Sequence, residues 1–387
     1  MKTNLKKLLY SGVTLMSLGV LAACSSTSSS TTTSSSAATS QTSVATTSNN
    51  STSSDSSSST IDWSALPTTE VTLSNDGLKI TEGGTYILTG STTAGVTVET
   101  DANVRIILAG AEISSSDTAA INVINADNVE LEIKDGTTNT VKDTSNHTDT
   151  NIEGAIHVEA DLTITGNGSL TVEGNFQDGI VSTDDLVVNS GNITVTAVDD
   201  GIRGKDSLTI NGGEITVTAG DDGIKAETAL TIDGGTITVS ESAEALEGTN
   251  ITINGGTLDV YGSDDAINAA STTSSEIFIK VTGGDLKVAV GSGDTDAFDA
   301  NGDIYISGGT IDVTAQSAFD FDGTAELTGG TVTVNGEQIT QITATGPGAG
   351  GPRWLVINNN TKRSELTNSD LSFAFHIGKI DFVFNYQ

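Results

Sequence analysis

The stretch "DDGIRGKDSLTINGGEITVTAG" at residues 199–220 is followed directly by "DDGIKAETALTIDGGTITVS" at residues 221–240. The two are near copies, and each begins with paired aspartates and carries a double glycine in its middle. Apolar residues such as Leu208, Ile210 and Ile215 alternate with polar ones, which is typical of short β-strands. Asn-Gly and Gly-Gly pairs between these segments indicate turns. Each copy therefore predicts three short strands joined by tight corners.

The same unit repeats along most of the chain. The double glycine begins at residues 212, 234, 255, 283, 308 and 329, which gives a base period near 22 residues with longer loops in some repeats. A unit of this size cannot bury its apolar face alone, whereas stacked units bury a continuous core. We therefore predict an all-β fold, a right-handed single-stranded parallel β-helix of about ten coils over residues 61–346. A propeller needs blades of about 40–45 residues, and a calcium roll needs nonapeptide repeats.

The N-terminus has the pattern of an export and anchoring signal. Lys2, Lys6 and Lys7 precede a short apolar run, which ends in "LAAC" with the single cysteine, Cys24. We predict a lipoprotein signal peptide at 1–23, lipidation of Cys24 and a lipid anchor in the membrane. The alternative is an ordinary signal peptide with an incidental cysteine. One cysteine leaves no intrachain disulfide.

Two further segments lie outside the repeats. Residues 24–60 are nearly all Ser, Thr, Ala and Asn, which predicts a disordered tether that holds the domain at the extracellular face of a Gram-positive membrane. Residues 347–387 follow a Gly/Pro break and form an atypical tail, either a cap for the β-helix or an unrelated segment.

The charge of the chain limits its partners. The formal net charge is −34, which argues against nucleic acid as a partner and favours divalent cations that relieve the repulsion.

An acidic column is the main candidate site. The residue two positions before each inward apolar residue is acidic in six successive coils, and stacking would place these carboxylates roughly 5 Å apart. Protonation, backbone N–H donors or a bound cation would compensate them. The column reads Asp178, Asp200, Asp222, Glu244, Asp265, Asp296 and Ser317.

Calcium takes six to eight oxygen ligands, so we predict calcium on this edge. The alternative is that these aspartates only stabilise turns. The predicted ligands are Asp199, Asp200, Asp221, Asp222, Asp264, Asp265, Asp294, Asp296, Asp299 and Asp320.

Three basic residues and one tyrosine are the candidate ligand-binding residues. Arg203, Lys205 and Lys225 are predicted on one face, with Arg203 and Lys225 pointing outward at equivalent positions of adjacent coils. A guanidinium beside a calcium ion would suit an acidic sugar. The alternative is that these cations only offset nearby acids. Tyr261 is a candidate platform for a sugar ring.

The segments "EGGTYILTG" and "NVRIILAGAEISSSDTAAINVINADNVELEIKDGTTNTV", together with the "DDGI" coils, resemble the carbohydrate-binding domain-containing proteins, a family of bacterial lipoproteins. The resemblance covers about residues 70–345. It implies a right-handed β-helix, similar in outline to polysaccharide lyases, that binds cellulose and pectin-like acidic sugars with calcium.

Three functions follow from these observations. The first is non-catalytic binding of polysaccharide with calcium, with acidic, pectin-like glycans favoured and cellulose as the alternative ligand. The second is an adhesin or wall-structural spacer without a glycan ligand. The third is a calcium-dependent polyuronate lyase in which Arg203 or Lys225 acts as the base.

Overall fold

The computed structural model describes residues 61–293 and 295–345, and the backbone of residues 372–377 and 380–385. The predicted signal peptide, Cys24, the tether, Asp294 and residues 347–371 lie outside the described residues, so what the sequence indicates for them stays a prediction.

The regular secondary structure of the described residues consists of strands, apart from one short 3-10 helix at Trp63–Ala65. The strands in chain order are β1 (Thr68–Leu73), β2 (Leu78–Ile80), β3 (Gly84–Thr92), β4 (Val96–Glu99), β5 (Val104–Ser114), β6 (Ile121–Asn125), β7 (Asn128–Ile133), β8 (Thr138–Lys142), β9 (Gly154–Val158), β10 (Asp161–Thr165), β11 (Ser169–Gly174), β12 (Asp178–Ser182), β13 (Leu186–Val188), β14 (Asn192–Ala197), β15 (Ile202–Gly204), β16 (Ser207–Ile210), β17 (Glu214–Thr218), β18 (Ile224–Ile232), β19 (Thr236–Glu241), β20 (Leu246–Ile253), β21 (Thr257–Gly262), β22 (Ile267–Ala269), β23 (Phe278–Val281), β24 (Asp285–Val290), β25 (Asp296–Ala300), β26 (Asp303–Ile306), β27 (Thr310–Thr314), β28 (Ser317–Phe321), β29 (Ala325–Leu327), β30 (Thr331–Val334), β31 (Glu337–Ile339), β32 (Ser372–Ile377) and β33 (Ile380–Asn385).

The strands stack in three parallel sheets along a β-helix. Sheet 1 contains β1, β3, β5, β7, β10, β13, β16, β18, β20, β23, β26 and β29. Sheet 2 runs from β2 through β12, β15 and the first part of β18 to β28. Sheet 3 runs from the last residues of β3 and β5 through β14, β17 and β21 to β30. The predicted parallel β-helix and its period near 22 residues are confirmed, but the structure has about twelve turns where the sequence predicted about ten.

The core is a set of aliphatic rows that run along the helix axis. Ile202, Ile224 and Leu246 stack in register in sheet 2, and each is fully buried. The row ends in Phe298 and Phe319, whose rings stack with centroids 5.2 Å apart. The predicted alternation is therefore confirmed, because every second strand residue packs inward against the coils above and below.

Glycines make the two kinds of corner possible. At the corner between sheets 1 and 3, Gly213 has a φ of +103°, a conformation that other residues rarely adopt. At the corner between sheets 3 and 2, a Cβ on Gly201 would lie 2.3 Å from Val217 Cγ1 and 2.5 Å from the Gly223 carbonyl oxygen. The packing around Gly201 therefore leaves no room for a side chain, whereas coils further along carry the buried Ala245 and Ala266 at the equivalent position.

Antiparallel pairing begins at the last described coil. β30 and β31 form a hairpin through Asn335 and Gly336, whose φ angles are +53° and +83°. β32 pairs with β33 as a separate two-stranded antiparallel sheet. Among the described residues no helix is long and apolar enough to cross a membrane.

Candidate functional site

The acidic column lies at the corner between sheets 3 and 2. Asp178, Asp200 and Asp222 are buried there. The carboxylates of Asp178 and Asp200 also hold the coils together, because Asp178 Oδ1 accepts the Asp200 N–H and Asp200 Oδ1 accepts the Asp222 N–H, both at 3.1 Å. Asp265 Oδ1 accepts the Asp296 N–H in the same way, at 2.7 Å. One carboxylate oxygen each of Asp178, Asp200 and Asp265 therefore has a structural role, because it bonds one coil to the next.

Arg203 lies on the outer side of sheet 2 but directs its guanidinium toward this column. Its nitrogens lie 3.4 Å from Asp178 Oδ2 and 3.7 Å from Asp200 Oδ2. They also lie 3.5 Å from Glu153 Oε2 and 2.8 Å from Glu227 Oε1. Arg203 is thus surrounded by four carboxylates.

Lys225 occupies the next coil in register with Arg203 and has the same environment. Its ammonium contacts the Asp222 carboxylate and lies 2.9 Å from Glu247 Oε2 and 3.8 Å from Asp200 Oδ2. Lys205 Nζ lies 2.9 Å from Glu153 Oε2. The three predicted basic residues are therefore brought together with acids, and each forms at least one ion pair.

Burial and charge shift the ionisation of these groups. Burial, together with the neighbouring Asp200 charge, raises the pKa of Asp178 to about 7 even though Arg203 lowers it. Burial also raises the pKa of Asp222, and Glu247 adds to this effect. Burial alone would lower the pKa of Lys225, but its bonds to Asp222 and Glu247 raise it overall. Lys225 therefore keeps its proton at neutral pH and is a poor general base.

Two groups of three carboxylates lie beside the column. Asp199, Asp200 and Asp221 form one, and Asp221, Asp222 and Glu244 form the other, with ligand oxygens within 4.8 Å of one another in each. Asp222 Oδ1 is buried and accepts no hydrogen bond. A buried, unpartnered carboxylate oxygen inside an oxygen-rich cluster fits a hard cation such as Ca²⁺, which takes carboxylate and carbonyl ligands. Four of the predicted calcium ligands are brought together here.

The other predicted metal ligands lie in the coils nearer the C-terminus. Asp299 and Asp320 follow each other in register on the outer side of sheet 2. Burial and the charges of Asp265 and Asp320 raise the pKa of Asp299 to about 7. Among the residues that the structure describes, Asp264, Asp265, Asp296, Asp299 and Asp320 form no group of three close ligand atoms.

A loop at residues 143–153 packs against the N-terminal side of this region. His147 Nε2 lies 2.9 Å from Asp143 Oδ2, and the His147 ring stacks on Phe176 at 4.4 Å. The Glu153 N–H donates to His157 Nδ1 at 3.3 Å, and burial with the nearby Lys205 charge lowers the pKa of His157 to about 4. The repeat pattern of the sequence did not identify Glu153 as the partner of Arg203 and Lys205.

Tyr261 lies at the outer side of sheet 3, away from the ion pairs of Arg203 and Lys225. It is the penultimate residue of β21 and is in register with Ala289 of β24. The structure therefore separates this predicted ligand-binding residue from the basic residues predicted for the same role.

The chain is similar to known proteins over most of the β-helix. The family model described as carbohydrate-binding domain-containing protein matches residues 74–241, 209–295 and 227–369. A carbohydrate-binding domain-containing protein of Acetivibrio thermocellus is 33% identical over 135 residues, which is 33% of this chain and 47% of that relative. The match thus spans about half of the relative's length.

A solved structure described as a polysaccharide lyase-like protein from C. thermocellum, in a gadolinium derivative, aligns with 69% of this chain and 94% of its own chain. The aligned residues are 25% identical, and the TM-score is 0.43. Because the family matches together extend over residues 74–369, well over half of the sequence, the chain belongs to the carbohydrate-binding domain-containing protein family.

Proposed function

We propose that the protein binds polysaccharide at the bacterial surface without cleaving it. The family match over residues 74–369 carries this proposal. The ion pairs of the predicted bases support binding over cleavage. Hydrogen bonds and carboxylates raise the pKa of Lys225 and of Arg203 despite their burial, so neither is poised to accept a proton from a uronate.

We further propose one Ca²⁺ at the group formed by Asp221, Asp222 and Glu244. The buried and unpartnered Asp222 Oδ1 supports this group over its neighbour. The ion would neutralise the negative charge of this group, which the ammonium of Lys225 offsets only in part.

Lipidation of Cys24 would hold the domain at the membrane, and the Ser/Thr-rich tether would extend it outward.

The preference for acidic, pectin-like glycans stays a prediction that depends on calcium. Arg203 and Lys225 are already paired with carboxylates, so a uronate would have to compete with Glu227 or Glu247 for them. A calcium ion shared between protein and uronate would provide the missing positive charge. Cellulose remains the predicted alternative ligand.

A glycan-binding panel tests the proposed function. The purified protein is titrated by calorimetry with neutral polysaccharides and with polygalacturonate, each in Ca²⁺ and in EDTA. Ultraviolet absorbance of the polygalacturonate samples reports any unsaturated ends. Binding without an absorbance increase supports the proposal. Absence of binding to every polymer would favour an adhesin or wall spacer, and rising absorbance would favour a lyase.

Calcium is tested separately by direct titration with Ca²⁺ and by thermal unfolding. We expect Asp221→Asn to weaken calcium binding at least roughly tenfold, because Asp221 belongs to both carboxylate groups. Glu241→Gln is the matched control, since it removes an equal charge from an exposed residue. Equal calcium affinity in the two variants, or no effect of EDTA on unfolding, would contradict the calcium proposal.

A further inference from the structure

Tyr261 differs from the other tyrosines that the structure describes. It is 37% exposed. Every other aromatic residue whose burial the structure describes is buried or half-buried. The Tyr86 hydroxyl donates to the Glu82 carbonyl and the Tyr305 hydroxyl donates to Asp303 Oδ2, both at 2.8 Å. The Tyr261 hydroxyl has no hydrogen-bond partner within the described part of the chain. Its ring and its hydroxyl are therefore both available to a ligand.

The hydroxyl of Tyr261 borders a concave surface on the next two coils. A Cβ built on Gly291 would lie 3.4 Å from this hydroxyl oxygen. Gly291 belongs to an open cavity of about 620 Å³, whose walls are residues 290–292, residues 314–316 and Asn335. Tyr261 is in register with Ala289, which in turn is in register with Thr314. The small side chain of Ala289 leaves space between the tyrosine ring and the cavity.

The far wall of this cavity is fixed by the fold. Asn335 has a positive φ of 53°, and its side chain holds the edge of the preceding coil. Asn335 Nδ2 donates to the Ala315 carbonyl at 2.8 Å, and Asn335 Oδ1 accepts the Ala315 N–H at 3.3 Å. A preformed concave site loses little conformational entropy when it binds a ligand.

The lining of the cavity indicates the class of ligand. Among the described residues its walls carry hydroxyl and amide groups from Ser292, Thr314 and Gln316 and no charged side chain. Asp199 and Asp221 directly precede members of the acidic column in earlier coils, but Gln316 stands at the equivalent position before Ser317. A chain with net charge −34 and no cation in these walls would repel a uronate. An aromatic ring beside a few neutral polar groups suits a neutral pyranose.

We propose that the cavity beside Tyr261 binds one neutral pyranose unit of a polysaccharide. The sugar ring packs on the Tyr261 ring, and the hydroxyl and amide groups of Ser292, Thr314 and Gln316 bind its hydroxyls. This inference rests on the proposed polysaccharide binding and adds the position and the sugar class.

The test is calorimetry of the full-length protein and three variants with neutral hexasaccharides of glucose, mannose and xylose, and with oligogalacturonate. We expect Tyr261→Ala to weaken neutral oligosaccharide binding roughly tenfold, a change of about 1.4 kcal/mol. Tyr305→Ala is the matched control, because that tyrosine lies on sheet 1 with its hydroxyl already bonded, and it should bind as the wild type does. Thr314→Trp fills the cavity while keeping Tyr261, and it should abolish binding.

The outcomes separate this inference from the proposed function. If the wild type binds a neutral oligosaccharide and Tyr261→Ala binds it equally well, the inference fails and polysaccharide binding stands. Binding of oligogalacturonate alone also overturns the inference. If the wild type binds no oligosaccharide and no polysaccharide, the proposed function fails first. Circular dichroism of each variant establishes that it is folded.

Discussion

Asp178→Asn should make the protein more stable at neutral pH. The Asp178 side chain is buried, and its Oδ1 accepts the Asp200 N–H, a bond that an asparagine oxygen can also accept. Burial and the Asp200 charge raise the Asp178 pKa from 3.8 to about 7. Between pH 3.8 and about pH 7 the Asp178 carboxyl is therefore protonated in the folded protein and ionised in the unfolded chain. Because the pKa is raised, the stabilisation is present at low pH and is lost as pH rises toward 7.

The magnitude follows from the shift. A difference of about three pKa units at about 1.4 kcal/mol per unit gives up to about 4 kcal/mol. Asparagine resembles the protonated carboxyl at every pH, so the variant does not lose this stability as the pH rises. We expect the free energy of unfolding of Asp178→Asn to match that of the wild type near pH 4. It should exceed the wild-type value by a few kcal/mol at pH 7 and above.

Guanidinium unfolding at several pH values between 4 and 8, in EDTA, measures this difference. Asp199→Asn is the control, because it removes the same charge from a partly exposed residue at the same corner of the next coil. The reasoning is refuted if the difference between Asp178→Asn and the wild type does not change with pH. It is also refuted if Asp199→Asn shows the same pH profile.

Two further substitutions test the ion pairs and the corners. Lys225→Met removes the ammonium that contacts Asp222, and it should lower the free energy of unfolding by about 3 kcal/mol at pH 7. The loss should be smaller at pH 5, where the acids protonate. Denaturant unfolding at both pH values measures the two losses, and equal losses would contradict the ion-pair argument. Gly201→Ala should cost more than about 2 kcal/mol, because its Cβ would lie 2.3 Å from Val217 Cγ1. A thermal midpoint of Gly201→Ala equal to that of the wild type would contradict the packing argument.

The pattern of the sequence was sufficient to predict the fold and the inward rows. The period near 22 residues and the alternation around Leu208 and Ile210 predicted the stacked sheets, and both residues are fully buried. The same spacing placed Asp200 and Asp222 in one column at a corner. These features are local and repeated, so each coil carries the information for its own strands and for its contacts with the next coil.

The candidate site depended on contacts that the repeat does not encode. Alternation predicted that Arg203 points outward from its strand, but it did not predict where the guanidinium would end. A long side chain pairs with whichever carboxylates lie within reach, and one of these is Glu153, fifty residues earlier in an inserted loop. The cavity beside Tyr261 likewise requires Asn335 of the final hairpin to meet Ala315. The sequence by itself determined the repeating scaffold. The tertiary structure decided which charges are neutralised and where the surface stays open, because the contacts responsible join segments that follow no common period.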